Sequence, residues 1–333
     1  MRDELKRLGA EAFRVEPAAL DLRVAFAGAL ATAGPVVLGI ALGQPHAGLN
    51  AGLGGLNVAL AMPEVGNRHR VAWGLVALAG SILAAALARA VAPSPVLSIG
   101  LTLLWTGGFA LLRARGREGA IVGFVLAAVF VILNGLPSAS PVIDIAAEFA
   151  VGGAAGLVLM LLAGIGRRPA SPEPTAAIGG NRTLRNHALR VGLATAFAVA
   201  LDQLLAPSFG YWIPLTVLAV LQPDSHSSRV RLLQRAAGTV VGAGLVVLAT
   251  LVTASSLPLA VLVALFALAL FAVKDRSYFW MVILLTPLAL LMISTVVVEG
   301  PGIAGQRLVN TAIGLAIGLA AMRVLWPDEA PAR

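Results

Sequence analysis

The chain has 333 residues, of which 59% are hydrophobic and 12% are charged, and its formal net charge is +8 at pH 7. A soluble domain of this size cannot bury so much apolar surface, so the composition excludes a soluble globular protein and indicates that lipid surrounds most of the chain. The chain contains no cysteine, which excludes disulfides, thiolate metal sites and a cysteine nucleophile.

Residues 1–19 form an arm with four basic and four acidic side chains, which we expect to lie on the cytoplasmic surface. Apolar segments follow, and most of them reach the roughly 17–25 residues that a helix needs to cross hydrocarbon. These segments lie at 20–42, 47–62, 72–92, 95–112, 119–135, 142–165, 187–206, 210–222, 236–256, 257–273, 277–298 and 303–325. The sequence therefore predicts an all-α, polytopic membrane helix bundle with about twelve transmembrane helices.

The basic residues are distributed unevenly between these segments. With twelve spans, 22 of the 24 Lys and Arg residues fall on one side, and Arg89 and Arg307 lie toward the other. The positive-inside rule then predicts a multi-pass protein of the plasma or inner membrane with both termini in the cytoplasm. A basic nucleic-acid-binding protein would need a folded polar domain with interleaved aromatic residues, so we expect no nucleic-acid partner.

The chain also repeats itself. The sequence LRVAFA at 22–27 returns as LRVGLA at 189–194, and Met62-Pro63-Glu64 returns as Gln222-Pro223-Asp224. Six spans per copy give both copies the same orientation, which predicts two parallel six-span repeats. The predicted layout is an N-terminal arm (1–19), a first repeat (20–165), a cytoplasmic linker (166–186), a second repeat (187–325) and a cytoplasmic tail (326–333).

The second segment of each repeat departs from a regular span. Residues 47–62 hold four glycines, and residues 210–222 are short and contain a proline. Interrupted segments at matching places of two repeats are typical of a transporter site, although glycines also permit tight helix packing. We predict a substrate path between the two halves near these segments, lined by Asn57, Tyr211, Trp212 and Gln222. Anchoring at the membrane interface is the alternative role of the two aromatic residues.

Acidic residues within the segments are candidates for proton coupling. Asp144 and Glu148 are spaced i, i+4 and share a helix face, and Asp202 lies toward the outer end of its segment. An acid in a low-dielectric site can exchange protons during transport, so we predict coupling roles for Glu148 and Asp202. For Asp144, the alternative interpretation is that it lies in headgroup water and has no role in transport.

Other polar residues complete the predicted path. Arg235 and Thr239 follow the second interrupted segment, and Arg307 and Asn310 lie in the last segment, where Glu299 is a potential partner of Arg307. Arginines that follow the interrupted segment could gather anions at the inner mouth. For Arg89 and Arg307, the alternative is that they extend to the outer headgroups.

Several catalytic patterns are absent from the sequence. The chain has two lysines and neither follows a glycine-rich loop, the four histidines show no metal-ligand spacing, and no G-x-S-x-G motif is present. We therefore expect no enzymatic activity, no metal and no cofactor.

Residues 211–242 carry the most specific motif. Tyr211-Trp212 is followed by LQPD at 221–224 and then by Gln234-Arg235 with Gly238-Thr239 and Gly242, while the last segment contains QRLVNT at 306–311. This pattern resembles the fusaric-acid-resistance (FUSC) family of aromatic acid exporters. The resemblance implies efflux of small aromatic carboxylates or related organic anions across the plasma membrane, energised by protons.

Three functions remain open at this point. The leading hypothesis is a secondary exporter of small aromatic carboxylic acids. The alternatives are a passive organic-anion channel and a non-transporting membrane scaffold. The expected partners are a small organic anion and the lipid bilayer, and a homo-oligomer is compatible with the sequence.

Overall fold

The computed structural model describes residues 8–15, 20–62, 67–136, 140–165, 180–253, 255–297 and 302–325. Within these ranges, twelve helices follow a short N-terminal helical segment, and one of them lies in each predicted apolar segment. In chain order they are α1 (Leu22–Ala41), α2 (Pro45–Ala61), α3 (Asn67–Val91), α4 (Pro95–Ala110), α5 (Gly116–Gly135), α6 (Val142–Ala163), α7 (Asn181–Leu205), α8 (Trp212–Val220), α9 (Ser225–Val252), α10 (Ser256–Val273), α11 (Tyr278–Ser294) and α12 (Gly302–Val324). The predicted tail and most of the predicted linker lie outside the described residues.

Helix boundaries follow local capping. α9 begins eleven residues before its apolar segment because the side chain of Asp224 accepts a hydrogen bond from the Ser227 amide at 2.7 Å and caps the helix. Asp21 caps α1 in the same way through the Val24 amide, and proline occupies the first turn of α2 and of α4. Hydropathy detects only the apolar part of a helix, so it misses the polar first turns of α9.

Eight helical stretches of the described residues are long and apolar enough to cross a membrane. One of them runs from Pro95 to Gly135, because a 3₁₀ turn at Leu111–Arg115 joins α4 to α5. Large apolar side chains such as Leu104, Val151 and Leu251 point outward, about 70% exposed, as lipid-facing residues do. The chain is thus a multi-pass helical membrane protein.

The twelve-span layout stays a prediction. α8 has only nine residues, which at 1.5 Å per residue give about 14 Å against the roughly 30 Å of hydrocarbon. α2 and α11 have 17 residues each and α4 has 16, which is also at or below the lower end of the length that a span needs. Hydropathy located these segments, but it does not show how far each one crosses.

The helix contacts of the first half recur in the second. In the first half α2 packs on α1 and α6, and α3 packs on α5 and α6; in the second half α8 packs on α7 and α12, and α9 packs on α11 and α12. Between the halves, α4 packs on α7 and α10 packs on α1. Two related units facing each other about a common axis produce such a recurrence, and the predicted parallel repeat would account for it.

Glycines bring α2 close to its neighbours. A Cβ added at Gly152 of α6 would overlap the backbone carbonyl of Ala51, and one added at Gly55 would overlap the carbonyl of Ala31 in α1. Backbone atoms cannot move aside as a flexible side chain can. In the first half, the glycine-rich second segment therefore serves tight helix packing, which was the alternative to a substrate path.

The N-terminal segment 8–15 packs where α9 and α11 begin. Leu8 and Ala12 are buried against Val230, and the Gln234 side-chain amide donates to the Ala12 carbonyl at 2.9 Å. The Phe13 and Phe279 rings meet edge to face with centroids 4.7 Å apart. The part of the predicted arm that the structure describes is thus fixed to the second half; its side of the membrane stays a prediction.

The glycine packing predicts a specific loss of stability. Gly152→Ala should force α2 and α6 apart and destabilise the protein by about 1–3 kcal/mol, measured as a lower Tm of the detergent-solubilised protein. Gly244→Ala in α9 is the matched control, because a Cβ there meets nothing within 4 Å. Equal Tm values for the two variants would contradict the proposed packing.

Candidate functional site

Arg307 is the most unusual buried residue of the second half. It lies in the second turn of α12 with a side chain that is only 1% exposed, and its Cζ lies 4.0 Å from the centroid of the Trp212 ring. Its Nε and Nη1 atoms are buried and have no hydrogen-bond partner in the described structure. Burying a charge without hydrogen bonds costs several kcal/mol, so the position calls for a functional explanation.

Two aromatic rings form a wall beside this guanidinium. Tyr211 and Trp212 are 1% and 5% exposed, and their ring centroids lie 4.8 Å apart. The Tyr211 hydroxyl and the Trp212 Nε1 are buried without hydrogen-bond partners in the described structure. The protein encloses both rings, so the alternative of anchoring in lipid headgroups does not fit.

The link between α7 and α8 presents these rings. Its backbone takes left-handed conformations at Ala206 (φ 44°) and Phe209 (φ 53°), and the Asn310 amide group donates to the carbonyls of Ser208 and Phe209 at 3.0 and 3.1 Å. Asn310 therefore positions the turn in addition to lying near the predicted path.

Asp202 lies at the same turn. A Cβ added at Gly210 would overlap the Asp202 carboxylate, so a residue other than glycine would displace this side chain. The candidate coupling residue of the second half is thus next to the residues that place Tyr211.

A second row of polar residues comes from α9 and α11. Arg235 is 5% exposed, has a buried Nε without a partner in the described structure, and interacts electrostatically with Arg307. Thr239 is fully buried one turn further along α9. One turn before Arg235, the Arg231 Cζ lies 3.8 Å from the centroid of the Tyr278 ring, and Tyr278 also lies within electrostatic range of Arg307.

We call the following residues the arginine–aromatic cluster: Tyr211, Trp212, Arg231, Arg235, Tyr278 and Arg307. Sequence analysis missed Tyr278, because nothing in its local sequence shows that α11 brings it to α9 and α12. Arg231 carried a signal, since its i, i+4 spacing from Arg235 places both on one helix face. Guanidinium groups beside flat rings and hydroxyls can bind a small planar anion, since guanidinium matches a carboxylate with two parallel hydrogen bonds.

The remaining predicted path and coupling residues are not members of this cluster. Asn57 is buried in α2 of the first half. The Glu148 Oε2 accepts from the Asn50 side chain at 2.8 Å, which joins α6 to α2 within that half. Gln222 Oε1 accepts from the Arg113 Nη2 at 2.9 Å. All six residues of the arginine–aromatic cluster belong to the second half, and the path predicted between the halves stays a prediction.

The headgroup alternative is wrong for Arg307, whereas for Arg89 it stays a prediction. Arg307 does not extend to the headgroups, because it is buried against Trp212. Arg89 Nη1 donates to the carbonyls of Leu133 and Leu136, where α5 ends, so it caps that helix. Glu299, which the sequence suggested as a partner of Arg307, lies outside the described residues. Asp144 is exposed, and its alternative of lying in headgroup water without a role stays a prediction.

Comparison with known proteins points to the same half of the chain. Residues 193–321 match the family model described as fusaric acid resistance protein-like. This region contains every member of the arginine–aromatic cluster.

Relatives were found in three bacteria. The inner membrane protein YccS of Escherichia coli is 34% identical over 145 residues, which cover 44% of this chain and 20% of YccS. An uncharacterized protein, ORF2, of Neisseria gonorrhoeae is 32% identical over 142 residues, or 43% of this chain and 34% of that protein. An uncharacterized protein of Haemophilus influenzae is 30% identical over 148 residues, or 44% of this chain and 20% of that protein.

The matched part thus spans about a third or less of each relative's length. No solved structure matches the chain significantly. The resemblance predicted from the motif is confirmed over residues 193–321, which match the fusaric acid resistance protein-like family model, and the chain is a multi-pass helical membrane protein.

Proposed function

We propose that the chain is a secondary exporter of small aromatic carboxylates or similar organic anions, driven by the proton gradient across the inner membrane, and not an enzyme. The observation that carries the proposal is the Arg307 guanidinium, which is buried on the Trp212 ring without hydrogen-bond partners for two of its nitrogens in the described structure. The family match and the inner-membrane location stated for YccS support transport at that membrane.

The chemistry of the cluster favours an anion that carries a flat ring. A stacked indole gives a guanidinium cation–π stabilisation but accepts no in-plane hydrogen bonds. A carboxylate would supply both the missing acceptors and the missing negative charge. The rings of Tyr211 and Trp212 would offer apolar area to the rest of the substrate. Inorganic anions would use the guanidinium and leave the aromatic wall without a purpose.

Proton coupling in this proposal uses Glu148 and Asp202, one in each half. Asp202 is next to Gly210 in the turn that presents Tyr211, so a change in its protonation would act on the substrate site through that turn. Glu148 accepts from Asn50, and loss of its charge would alter the contact between α6 and α2. A carboxyl group in a low-dielectric environment can take up a proton at moderate free-energy cost.

The substrate site predicts a specific loss of transport. Trp212→Ala and Arg307→Gln should each lower benzoate export from proteoliposomes at least tenfold, because each removes a group that holds the anion. Trp280→Ala and Arg229→Gln are the matched controls, since both side chains are exposed. Wild-type rates in Trp212→Ala and Arg307→Gln would contradict the site. If the wild-type protein transports no aromatic acid, the result would favour the alternative function of a non-transporting membrane scaffold.

The coupling scheme predicts loss of uphill transport only. The double variant Glu148→Gln, Asp202→Asn should retain downhill benzoate exchange and lose accumulation against a gradient, because neither position can then exchange a proton. An imposed pH step across the vesicle membrane measures this difference. Asp144→Asn is the control, because Asp144 is exposed. Full uphill transport by the double variant would refute the scheme, and a benzoate current in the wild-type protein without a proton flux would favour the channel.

A further inference from the structure

A row of arginines leads from the turn between α4 and α5, at the edge of the first half, through the arginine–aromatic cluster to Arg307. Arg113 lies in the 3₁₀ turn between α4 and α5, and its Nη2 donates to Gln222 Oε1 at 2.9 Å, just after α8. Arg113 interacts electrostatically with Arg231, which stacks on Tyr278 at 3.8 Å. Tyr278 and Arg235 in turn lie within electrostatic range of Arg307. Each arginine of the row is thus near another arginine or near the Tyr278 ring, which lies between Arg231 and Arg307.

The start of this row carries an excess of positive charge. Asp224 is the acid that lies within electrostatic range of Arg113, but it is exposed and its Oδ1 already accepts from the Ser227 amide. His187 and Arg190 lie close by, which adds a further cation to the same region. Two guanidinium groups held near each other in a partly buried place repel, and an anion between them would relieve that repulsion.

The positive-inside rule alone does not explain why Arg231 is placed against the Tyr278 ring. Arg229 lies on the same helix two residues before Arg231, and its side chain is exposed. A topology signal needs only such exposed charges. Arg231 instead turns toward the Tyr278 ring, whose hydroxyl is buried without a hydrogen-bond partner in the described structure. The geometry of Arg231 therefore calls for a role that Arg229 does not have.

We propose that Arg113, Arg231 and Tyr278 form a capture subsite for a small carboxylate, and that the anion moves from it along α9 to Arg235 and Arg307. The route then begins where the turn between α4 and α5 of the first half meets Gln222 of the second half, and it continues inside the second half. The proposal rests on the proposed function, because it names the path by which the same anion would reach Arg307. A row of cations attracts anions and repels cations along its whole length.

Chemical labelling can test this route directly. The chain contains no cysteine, so Thr239→Cys introduces a single reactive thiol at a fully buried position beyond Arg235. Two methanethiosulfonate reagents of opposite charge, the ethylsulfonate and the ethyltrimethylammonium forms, are added to vesicles from the side where α9 begins. We expect the anionic reagent to modify the thiol faster than the cationic one.

Substitutions in the Thr239→Cys background identify the subsite. Arg231→Gln should lower the ratio of anionic to cationic rates about tenfold, whereas Arg231→Lys should largely preserve it because the charge remains. Arg229→Gln is the matched control and should leave the ratio unchanged. Arg113→Gln should lower the ratio in the same direction as Arg231→Gln.

Three results would overturn the capture subsite: no modification of the thiol, equal rates for the two reagents, or the same effect of Arg229→Gln and Arg231→Gln. A benzoate transport assay on the wild-type protein distinguishes failure of the capture subsite from failure of the proposed function. Charge-selective labelling without benzoate transport would support the subsite and refute the substrate class. Benzoate transport with unselective labelling would support the function and refute the route.

Discussion

The second half of this protein is organised around the burial of one positive charge. Arg307 lies on the Trp212 ring, and two of its nitrogens have no hydrogen-bond partner in the described structure. The neighbouring elements support this contact. Asn310 fixes the turn before Trp212 through two carbonyls, and Gly314 lets α12 approach α8, since a Cβ there would lie 2.7 Å from the Ile213 carbonyl oxygen. Burying a charge without hydrogen-bond partners is costly, and in our proposal an anionic ligand offsets this cost.

The two halves differ in the residues at positions that the predicted repeat aligns. In the predicted repeat, an offset of 158 residues aligns Gly152 of α6 with Asn310 of α12 and Phe149 with Arg307. Phe149 is 1% exposed and belongs to an apolar core. The offset of 160 residues between Met62 and Gln222 places Arg70 one position from the counterpart of Arg231, and Arg70 donates to the Met160 carbonyl near the end of α6. In this predicted alignment, the first half has a ring and a helix cap where the second half has two arginines of the arginine–aromatic cluster.

The sequence predicted the segments well and their contacts poorly, for a physical reason. Hydropathy depends on local composition, so it correctly placed a helix in all twelve segments. The family motif is also local, and it selected Tyr211, Trp212, Arg235 and Arg307. Burial depends on distant partners. The headgroup alternative for Arg307 stayed open because its stacking on Trp212 joins residues 95 positions apart in the chain, and local sequence does not show such a contact. Tyr278 lies in a helix whose pattern signals only a span, and the docking of the N-terminal segment on α9 likewise has no local signature.

The most direct test is the thermal stability of an Arg307→Met variant with and without benzoate. If the charge is retained for an anion, a neutral side chain of similar length should raise the Tm of the ligand-free protein, because it removes a buried cation that lacks hydrogen-bond partners. Benzoate should raise the Tm of the wild-type protein through binding to the folded state and leave that of the variant unchanged. A lower Tm of the ligand-free variant, or a benzoate-induced shift that survives the substitution, would contradict a ligand-binding role for Arg307.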